Sequence, residues 1–386
     1  MSKGTLCGMG SRRLRVGVLF GGRSGEHEVS LNSARAVMAA LRKAGHEVVP
    51  IGITPEGRWL VGGDPLQALS SGQRTGERAA SMLPQPGGRS LVVVRDDEGP
   101  TDLERHQDTP SMGSLDVLFP VLHGTYGEDG TVQGLFELAA VPYAGAGVLG
   151  SALGMDKVVQ KTLWRGIGLP VADFLSVLRR EFERDSVSVL ERVEQLPYPV
   201  FVKPANLGSS VGVSKARTRQ ELEQALRTAA QYDSKLLVEQ GIDARELEVG
   251  VLGNDEPSAS IVGEILPGAE FYDYRAKYVD EGSQAIIPAD ISAELSRAVQ
   301  ELAIRAFQAV AANGLARVDF FLERGTDRLL INEINTMPGF TEISMYPKLW
   351  EASGVPFAEL VTRIAELGLE RFSERARNQT RFTVGE

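Results

Sequence analysis

The segment that decides the fold of the first third of the chain is Leu14–Ile53, LRVGVLFGGRSGEHEVSLNSARAVMAALRKAGHEVVPIGI. Its opening residues, LRVGVLF, predict a buried strand over Leu14–Phe20, and His46–Ile53 predicts a second strand. Between them, a glycine-rich turn leads into a helix that we expect over Asn32–Ala44. A strand, a helix and a strand at this spacing favour a parallel β-α-β unit and hence an α/β fold class.

The same pattern returns further along the chain. Asp116–Leu122 (DVLFPVL) predicts a buried strand that runs into the loop HGTYGEDG, and a helix is expected over Thr131–Ala140. Both glycine-rich loops follow strands, where open α/β sheets bind their ligands. We therefore predict an amino-terminal α/β domain over residues 14–150, after a flexible leader at 1–13. Residues 62–113 are rich in Gly, Ser, Pro and charged residues and predict a loop-rich insertion.

Two further blocks follow the first domain. Residues 151–240 combine predicted strands and helices, including the strand Tyr198–Pro204 and the helix Arg219–Tyr232. Residues 241–373 alternate as an antiparallel sheet does, with strands expected over Glu246–Leu252, Ser260–Leu266, Ala316–Leu322 and Arg328–Asn335. Residues 374–386 are taken as a tail. The sequence predicts one domain in each block, with α and β elements mixed in both.

Composition excludes several classes of protein. The 386 residues carry a formal net charge of -10, which argues against a general nucleic-acid binder. The single cysteine, Cys7, excludes an intramolecular disulfide and fits a reducing compartment. The sequence contains no run of about 18 apolar residues, so it predicts no helix that spans a membrane. The expected location is the cytoplasm, without a membrane partner.

The sharpest group of polar residues lies in the third block. Arg317 and Asp319 are two apart on one predicted strand, and Glu333 and Asn335 are two apart on the next, so each pair shares one face. A short turn makes the two strands an antiparallel pair. Buried carboxylates side by side require a cation, and hard oxygen ligands suit Mg²⁺ bound to polyphosphate. The alternative is a structural ion pair between Arg317 and Glu333.

Three other segments carry weaker signals. In VFVKPANLGSSVGV, Lys203 ends a strand before a loop of small residues, which is compatible with a phosphate cover or with an ordinary hairpin loop. Glu26 follows the first strand and could be a simple first-turn acid of a helix. The segment FYDYRAKY, starting at Phe271, is typical of a loop that closes over a ligand or of a surface loop with buried tyrosines.

Seven segments, taken together, resemble the D-alanine–D-alanine ligases, a family of ATP-grasp enzymes in which two α+β domains hold the nucleotide between them. In order along the chain they are GGRSGEHEVSLNSA, HGTYGEDGTVQG, MDKVVQK, VFVKPANLGSSVGVSK, FYDYRAKY, ARVDFF and INEINTMPGFTEISMYP. The resemblance covers about Leu14–Leu367 and implies an amino-terminal α/β domain followed by two ATP-grasp domains. The implied reaction joins two D-alanines through an acyl phosphate, with ATP as the phosphoryl donor, for peptidoglycan precursor synthesis.

The resemblance also implies roles for individual residues at the nucleotide. Asp319, Glu333 and Asn335 resemble the ligands of two Mg²⁺ ions, with Mn²⁺ as a substitute. The remaining nucleotide contacts that it implies are Lys157 and Lys203 on the phosphates, Ser209 and Ser210 in the loop over them, Glu239 at the adenine amino group, Glu246 at the ribose and Lys277 at the transferred phosphate. Gln240 stands where many relatives have Lys, which weakens the adenine assignment.

A second set of implied roles concerns the amino acids. Glu26 resembles the acid that holds the first D-alanine's ammonium and that is linked to Ser209 and Tyr278. Arg317 and the backbone N–H of Gly339 resemble an oxyanion site. Ser344 resembles the group that binds the second carboxylate, and His123 is carried over as a substrate-site residue from the HG-x-x-GEDG motif.

Specificity at the second subsite depends, by resemblance, on Tyr278. Relatives that make a D-alanine–D-lactate ester have a different loop here, often with a histidine. This chain has no His between Phe271 and Pro288, which favours D-alanine over D-lactate and leaves D-serine as an alternative. The family also implies a homodimer.

Overall fold

A computed structural model describes residues 12–73, 75–86, 91–94, 114–208, 210–266 and 284–379. The predictions for the leader up to residue 11, for Ser209 and for the FYDYRAKY segment therefore lie outside the described residues. Within the described ranges the strands form three separate sheets, one in each block of sequence.

The first sheet contains the predicted parallel unit. Its elements are β1 (Arg15–Gly21), α1 (His27–Lys43), β2 (Glu47–Ile53), β3 (Trp59–Val61), α2 (Pro65–Ser71), β4 (Arg78–Met82), β5 (Leu91–Val93) and β6 (Val117–Val121), followed by α3 (Thr131–Leu138) and α4 (Val148–Met155). The sheet order is β5-β4-β3-β2-β1-β6. Strand β1 pairs in parallel with β2 and β6, so the β-α-β prediction is confirmed.

Two details of this domain differ from the prediction. Helix α1 starts at His27, five residues before the expected start, because Val29, Ser30 and Leu31 continue its buried face. The expected loop-rich insertion contributes the helix α2 and the strands β4 and β5. The two strands extend the sheet by antiparallel pairing. The short apolar runs of β4 and β5 supply buried side chains to the core of the sheet, which turn composition alone does not reveal.

The second sheet is formed by residues 174–240 and is antiparallel. The elements of this block are α5 (Lys157–Gly166), β7 (Phe174–Leu178), α6 (Arg179–Arg184), α7 (Ser186–Val193), β8 (Val200–Pro204), β9 (Ser214–Ala216), α8 (Arg219–Ala229) and β10 (Lys235–Gln240). The strand order is β7-β10-β8-β9. Apolar residues of α7 and α8 cover one face of the sheet and form its core.

The third sheet has the antiparallel character that alternation predicts. Its elements are β11 (Ala244–Gly253), β12 (Ser258–Leu266), β13 (Gln284–Ile286), α9 (Ala293–Ala309), β14 (Gly314–Glu323), β15 (Leu329–Asn335), α10 (Met345–Ala352) and α11 (Phe357–Arg375). The order β13-β12-β11-β14-β15 places β14 at the centre of the acidic cluster, between β11 and β15. Helix α9 packs its apolar face on this sheet together with Trp164 of α5.

Closing helix α11 joins the third block to the first. Its residues Leu360, Val361 and Ile364 share a core with α1, β1 and β6 of the first sheet. His46, beside β2, accepts a hydrogen bond from the backbone of Leu14 and pairs with Thr362 of α11. The three sheets come from separate stretches of the chain, and this helix buries its apolar face against two of them.

Candidate active site

A cleft of about 1130 Å³ opens between the three sheets and gathers most of the predicted site residues. The first block contributes Glu26 and His123 to its lining, and the second contributes Lys157, Lys203, Ser210 and Glu239. The third block contributes Glu246, Arg317, Glu333, Asn335, Gly339 and Ser344. Asp319 lies directly behind Arg317, whereas Ser209, Lys277 and Tyr278 lie outside the described residues. Residues that are hundreds of positions apart thus meet at one cleft.

The acidic cluster has the register that the two-residue spacing predicts. Arg317 lies opposite Asn335, and Asp319 lies opposite Glu333. The Arg317 guanidinium donates to both oxygens of Asp319, at 2.7 Å each, and Asn335 Nδ2 donates to Asp319 Oδ2 at 3.1 Å. A third carboxylate, that of Glu248 on β11, lies 3.1 Å from Arg317 Nε. The Arg317 pairing is thus with Asp319 and Glu248, and Glu248 was not foreseen from the sequence.

A β-bulge in β15 aims two consecutive side chains at the cleft. The pairing shifts between Asp319 and Phe320, so that Phe320 lies opposite Ile331. Asn332 and Glu333 consequently both line the cleft, while Ile331 and Ile334 are buried members of the core of the third sheet. Asn332 Oδ1 is buried and has no hydrogen-bond partner among the residues that the structure describes. Buried isoleucines three positions apart, instead of two, were the sequence signal for this bulge.

Helix α5 lies between the second and third sheets and carries lysines to both. Its N-cap is Asp156, whose carboxylate accepts from the backbone N–H of Val158 and Val159. Lys157 Nζ donates to the Leu207 carbonyl at 2.9 Å and lies 3.5 Å from Glu333 Oε2. One turn later, Lys161 lies on the same face of the helix. Lys157 thereby connects the loop before Ser210 with the acidic strand β15.

Glu239 lies at the centre of a buried charge cluster. Its Oε2 is 3.0 Å from Lys161 Nζ, and its Oε1 accepts a hydrogen bond from Lys203. Burial alone would raise the pKa of Glu239, but the two ammonium groups more than offset it and lower the pKa to about 2. Both oxygens therefore face lysines in this structure. Contact of this carboxylate with an adenine amino group stays a prediction that requires one of these pairs to open.

The end of the cleft that is predicted to bind the amino acids is built around Glu26. This residue occupies the N-cap position of α1, but its side chain makes no capping hydrogen bond and is 9% exposed. A methyl group built on Gly208 would lie 2.2 Å from Glu26 Oε1, and one on Gly124 would lie 3.2 Å away. A side chain at Gly208 would displace this carboxylate, so glycine lets the loop approach Glu26 this closely. The simple first-turn role therefore does not account for the position of Glu26.

Glu128, in the same GEDG motif, is a site residue that sequence reasoning missed. Its two oxygens accept from the backbone N–H of Gly124 at 2.7 Å and of Met337 at 3.0 Å. Burial and the neighbouring Glu26 carboxylate raise the pKa of Glu128 to about 8. This side chain fastens the loop after β6 to the segment that contains Gly339.

His123 makes a second connection to that segment. Its Nδ1 lies 2.9 Å from the Met337 carbonyl, so this nitrogen carries the proton and donates. Its Nε2 then accepts from the Ser33 hydroxyl at 3.1 Å, and Ser33 in turn accepts from the Phe340 backbone N–H. Burial lowers the pKa of His123 and favours the neutral ring. The geometry makes His123 a support for the segment around Gly339, although it also lines the cleft.

Ser344 and Gly339 lie together at the start of α10. Ser344 is the N-cap residue of that helix, and its Oγ accepts from the Thr341 backbone N–H at 3.1 Å. A methyl group on Gly339 would lie 3.0 Å from Ser344 Oγ. The partial positive charge of a helix N-terminus favours an anion. This end of the cleft is therefore suited to a carboxylate.

The described residues lack two kinds of feature, one that concerns metal ions and one that concerns membranes. Across the described ranges, no group of three or more His, Cys, Asp or Glu residues is arranged to hold a metal ion. The predicted metal ligands are not such a group because they comprise two carboxylates, those of Asp319 and Glu333, and the amide of Asn335. None of the helices that the structure describes is long and apolar enough to cross a membrane.

The three sheets around a cleft lined with lysines and acids define the ATP-grasp class of fold. Two family models match the chain: the D-ala D-ala ligase N-terminus over residues 15–146 and the D-ala D-ala ligase C-terminus over residues 163–366. The chain belongs to the D-alanine–D-alanine ligase family. The fold-class prediction and the family resemblance are thereby confirmed.

Curated relatives and solved structures agree with this assignment. The chain is 48% identical to a D-alanine–D-alanine ligase of Natranaerobius thermophilus, over 96% of this chain and 99% of the relative. It is 50% identical to one of Heliobacterium modesticaldum, over 95% and 97%. The D-alanine–D-alanine ligase structure from Coxiella burnetii has a TM-score of 0.80 at 36% identity, with 95% of this chain and 96% of that chain covered. The VanG D-Ala:D-Ser ligase from Enterococcus faecalis has a TM-score of 0.80 at 33% identity, with 92% and 100% covered.

Proposed function

We propose that this protein joins two D-alanines to D-alanyl-D-alanine and converts ATP to ADP and phosphate. The observation that carries the proposal is one cleft that brings together the lysines Lys157 and Lys203, the acidic strands β14 and β15, and Glu26. In the proposed reaction the first D-alanine's carboxylate takes the γ-phosphoryl group, which gives an acyl phosphate and ADP. The second D-alanine's amine attacks the acyl carbon, and phosphate leaves from the tetrahedral intermediate.

At the nucleotide end, Lys157 and Lys203 would bind the phosphates, and Glu246 would bind the ribose. Phosphoryl transfer needs its negative charge offset, and ammonium groups at the cleft supply part of this. The carboxylates of Asp319 and Glu333 and the amide oxygen of Asn335 are hard oxygen donors of the kind that Mg²⁺ or Mn²⁺ prefers. Bound there, two such ions would neutralise the β- and γ-phosphate oxygens. The surplus of carboxylates around Arg317 is the local observation that supports this fit.

At the amino-acid end, Glu26 would hold the first D-alanine's ammonium, with Ser209 and Tyr278 as its proposed partners. Arg317 and the Gly339 N–H would stabilise the oxyanion of the tetrahedral intermediate. Ser344, at the N-terminus of α10, would bind the second carboxylate. Glu128 and His123 hold the segment around Gly339 in place by the hydrogen bonds described above.

Phosphate release tests the choice of second substrate. We expect Mg²⁺-dependent phosphate release from ATP with D-alanine alone, at neutral pH. D-Serine is the alternative second substrate, and the similarity to the D-Ala:D-Ser ligase from Enterococcus faecalis makes it the comparison to run first. Release that required added D-serine or D-lactate would contradict the assignment of D-alanine. Product analysis by mass spectrometry then identifies the peptide or ester formed.

Quaternary structure and cellular setting complete the proposal. We infer a cytoplasmic enzyme of peptidoglycan precursor synthesis that acts as a homodimer. Exposed leucines on the consecutive helices α3 and α4, Leu138 and Leu149, offer apolar surface for a second copy. Sedimentation equilibrium would give twice the chain mass of 41.7 kDa for a dimer.

A further inference from the structure

Two lysines share one carboxylate at the wall of the cleft. Lys161 is 1% exposed and Glu239 is 2% exposed, whereas Lys203 is 14% exposed and lines the cleft. The family resemblance assigns no role to Lys161. Because a lysine this deeply buried is costly unless it is paired, its pairing with Glu239 indicates a specific electrostatic task.

The charge balance of this cluster suggests what the task is. With Lys161 present, the three groups Lys161, Lys203 and Glu239 comprise two ammonium groups and one carboxylate and carry a net charge of about +1. The nearby carboxylate of Glu333 also favours the charged form of both lysines. Without Lys161, Glu239 and Lys203 would form a neutral pair, and a phosphate would compete with Glu239 for the Lys203 ammonium. Burial lowers the pKa of Lys161, and the Glu239 carboxylate opposes that shift and favours its charged form.

Helix α5 fixes Lys161 in this position. Trp164 of the same helix is fully buried, and its indole N–H donates to the Ala306 carbonyl of α9 at 3.1 Å. Gln160, fully buried, accepts from the Ile334 backbone N–H of β15. The helix is therefore anchored to the third domain, while Lys161 reaches across to β10 of the second.

We propose that Lys161 is a positioning residue for the nucleotide phosphates: it offsets Glu239, so that Lys203 is oriented by that carboxylate without being neutralised by it. The inference rests on the proposed function, since it takes Lys203 as a phosphate ligand. It adds a residue from α5 that acts on the phosphate through Glu239 and touches no substrate itself.

Calorimetric titration of AMP-PNP with Mg²⁺ into the full chain tests this inference. Lys161→Met leaves a neutral Lys203–Glu239 pair, and we expect AMP-PNP affinity to fall by roughly 10-fold or more. The double variant Lys161→Met/Glu239→Gln restores a net charge of +1 to these groups. Because Glu239 is also the predicted adenine contact, the quantity compared is the ratio of AMP-PNP affinity to adenosine affinity, which we expect to return to within about 3-fold of the parent's ratio. Binding of adenosine, measured by competition, should be the same in the parent and in Lys161→Met, because adenosine carries no phosphate.

Controls separate this inference from the proposed function. Lys43→Met removes one exposed lysine from the end of α1, away from the cleft, and should leave AMP-PNP affinity unchanged. The positioning role would be overturned by a folded double variant whose ratio of AMP-PNP to adenosine affinity is no higher than that of Lys161→Met. It would also be overturned by a Lys161→Met protein that loses affinity for adenosine and AMP-PNP equally. Failure of the parent protein to bind AMP-PNP at all would instead overturn the proposed function.

Discussion

At the scale of single residues, two buried carboxylates of the cleft have opposite pKa shifts. The pKa of Glu239 is lowered to about 2 because two lysines outweigh its burial. The pKa of Glu128 is raised to about 8 because burial and the Glu26 carboxylate outweigh two backbone N–H donors. At neutral pH the same residue type is therefore an anion at the proposed phosphate end of the cleft and a largely protonated group at the proposed amino-acid end.

Glu128→Gln tests this difference through the pH dependence of stability. In the folded protein Glu128 keeps its proton up to about pH 8, whereas in the unfolded chain it loses it near the ordinary value of 4.5. The contribution of Glu128 to stability is therefore fully present below about pH 4.5 and is lost as the pH rises through the pKa of the folded protein. Between about pH 5 and pH 8, the free energy of unfolding of the parent should fall by up to about 4 kcal/mol relative to that of the variant.

Urea denaturation of both proteins at several pH values measures this relative loss. The variant also removes one acceptor for a backbone N–H, which should lower stability by about 1–2 kcal/mol at every pH. Stability curves of the two proteins that stay parallel across the pH range would contradict the raised pKa.

At the scale of elements, the β14–β15 pair sets the geometry of the acidic cluster. Regular alternation puts Arg317 and Asp319 on one face, and the bulge at Asn332 turns an additional side chain to the cleft. Helix α5 matches this pair by placing Lys157 near Glu333. The cluster is thus a property of two strands and one helix acting together.

Glu333→Gln tests the metal role of the strand pair. The variant keeps the shape of the side chain and removes one anionic ligand, so we expect Mg²⁺-dependent ATP turnover to fall by at least about 100-fold, which corresponds to about 3 kcal/mol. Thermal denaturation should show that the variant is folded. Steady-state phosphate release at several Mg²⁺ concentrations provides the measurement.

Glu323→Gln is the matched control on the same strand pair. Glu323 ends β14 near the turn and pairs with Arg328, whose side chain is 54% exposed. Losing such a surface pair should cost about 1 kcal/mol or less and leave turnover unchanged. Near-normal activity of Glu333→Gln, or an equal loss in both variants, would contradict the metal assignment.

At the scale of the whole molecule, α11 ties the end of the chain to the first domain. Arg371 Nη1 donates to the Gly145 carbonyl at 2.9 Å, and Nη2 donates to the Tyr143 carbonyl at 3.2 Å. Its guanidinium carbon also lies 4.1 Å from the centroid of the Tyr143 ring. Because Glu26 and Ser344 come from different parts of the chain, this connection helps to fix the relative position of the two proposed amino-acid subsites.

Arg371→Met should therefore lower the free energy of unfolding by roughly 2–3 kcal/mol, since it removes two charged hydrogen bonds and a cation–π contact. Arg377→Met is the control, because Arg377 pairs with Glu374 on the surface with a 74% exposed side chain. That control should change stability by less than about 0.5 kcal/mol. Chemical denaturation measures the free energy of unfolding of both variants. Equal losses in the two variants would mean that Arg371 makes no net contribution to stability.

Much of the fold follows from local pattern. The parallel unit at Leu14–Ile53 and the antiparallel third sheet were predictable because apolar periodicity reports which faces are buried. The small strands β4 and β5 were not predictable, because short runs in a segment rich in turn-forming residues have no distinct period. The early start of α1 at His27 was also missed, since a glycine-rich loop hides the first turn of the helix.

The sequence by itself determined which residues the candidate site contains. These are the Glu26 carboxylate in the segment Leu14–Ile53, the lysines, and the paired acids Asp319 and Glu333 on the last two strands. Spacing along one strand and the order of the motifs were sufficient for that. Only the tertiary structure decided which charges meet. Glu128 reaches Met337 across 209 positions, and Lys161 reaches Glu239 on another element. A pKa depends on burial and on neighbours in space, which packing establishes between residues that are remote in sequence.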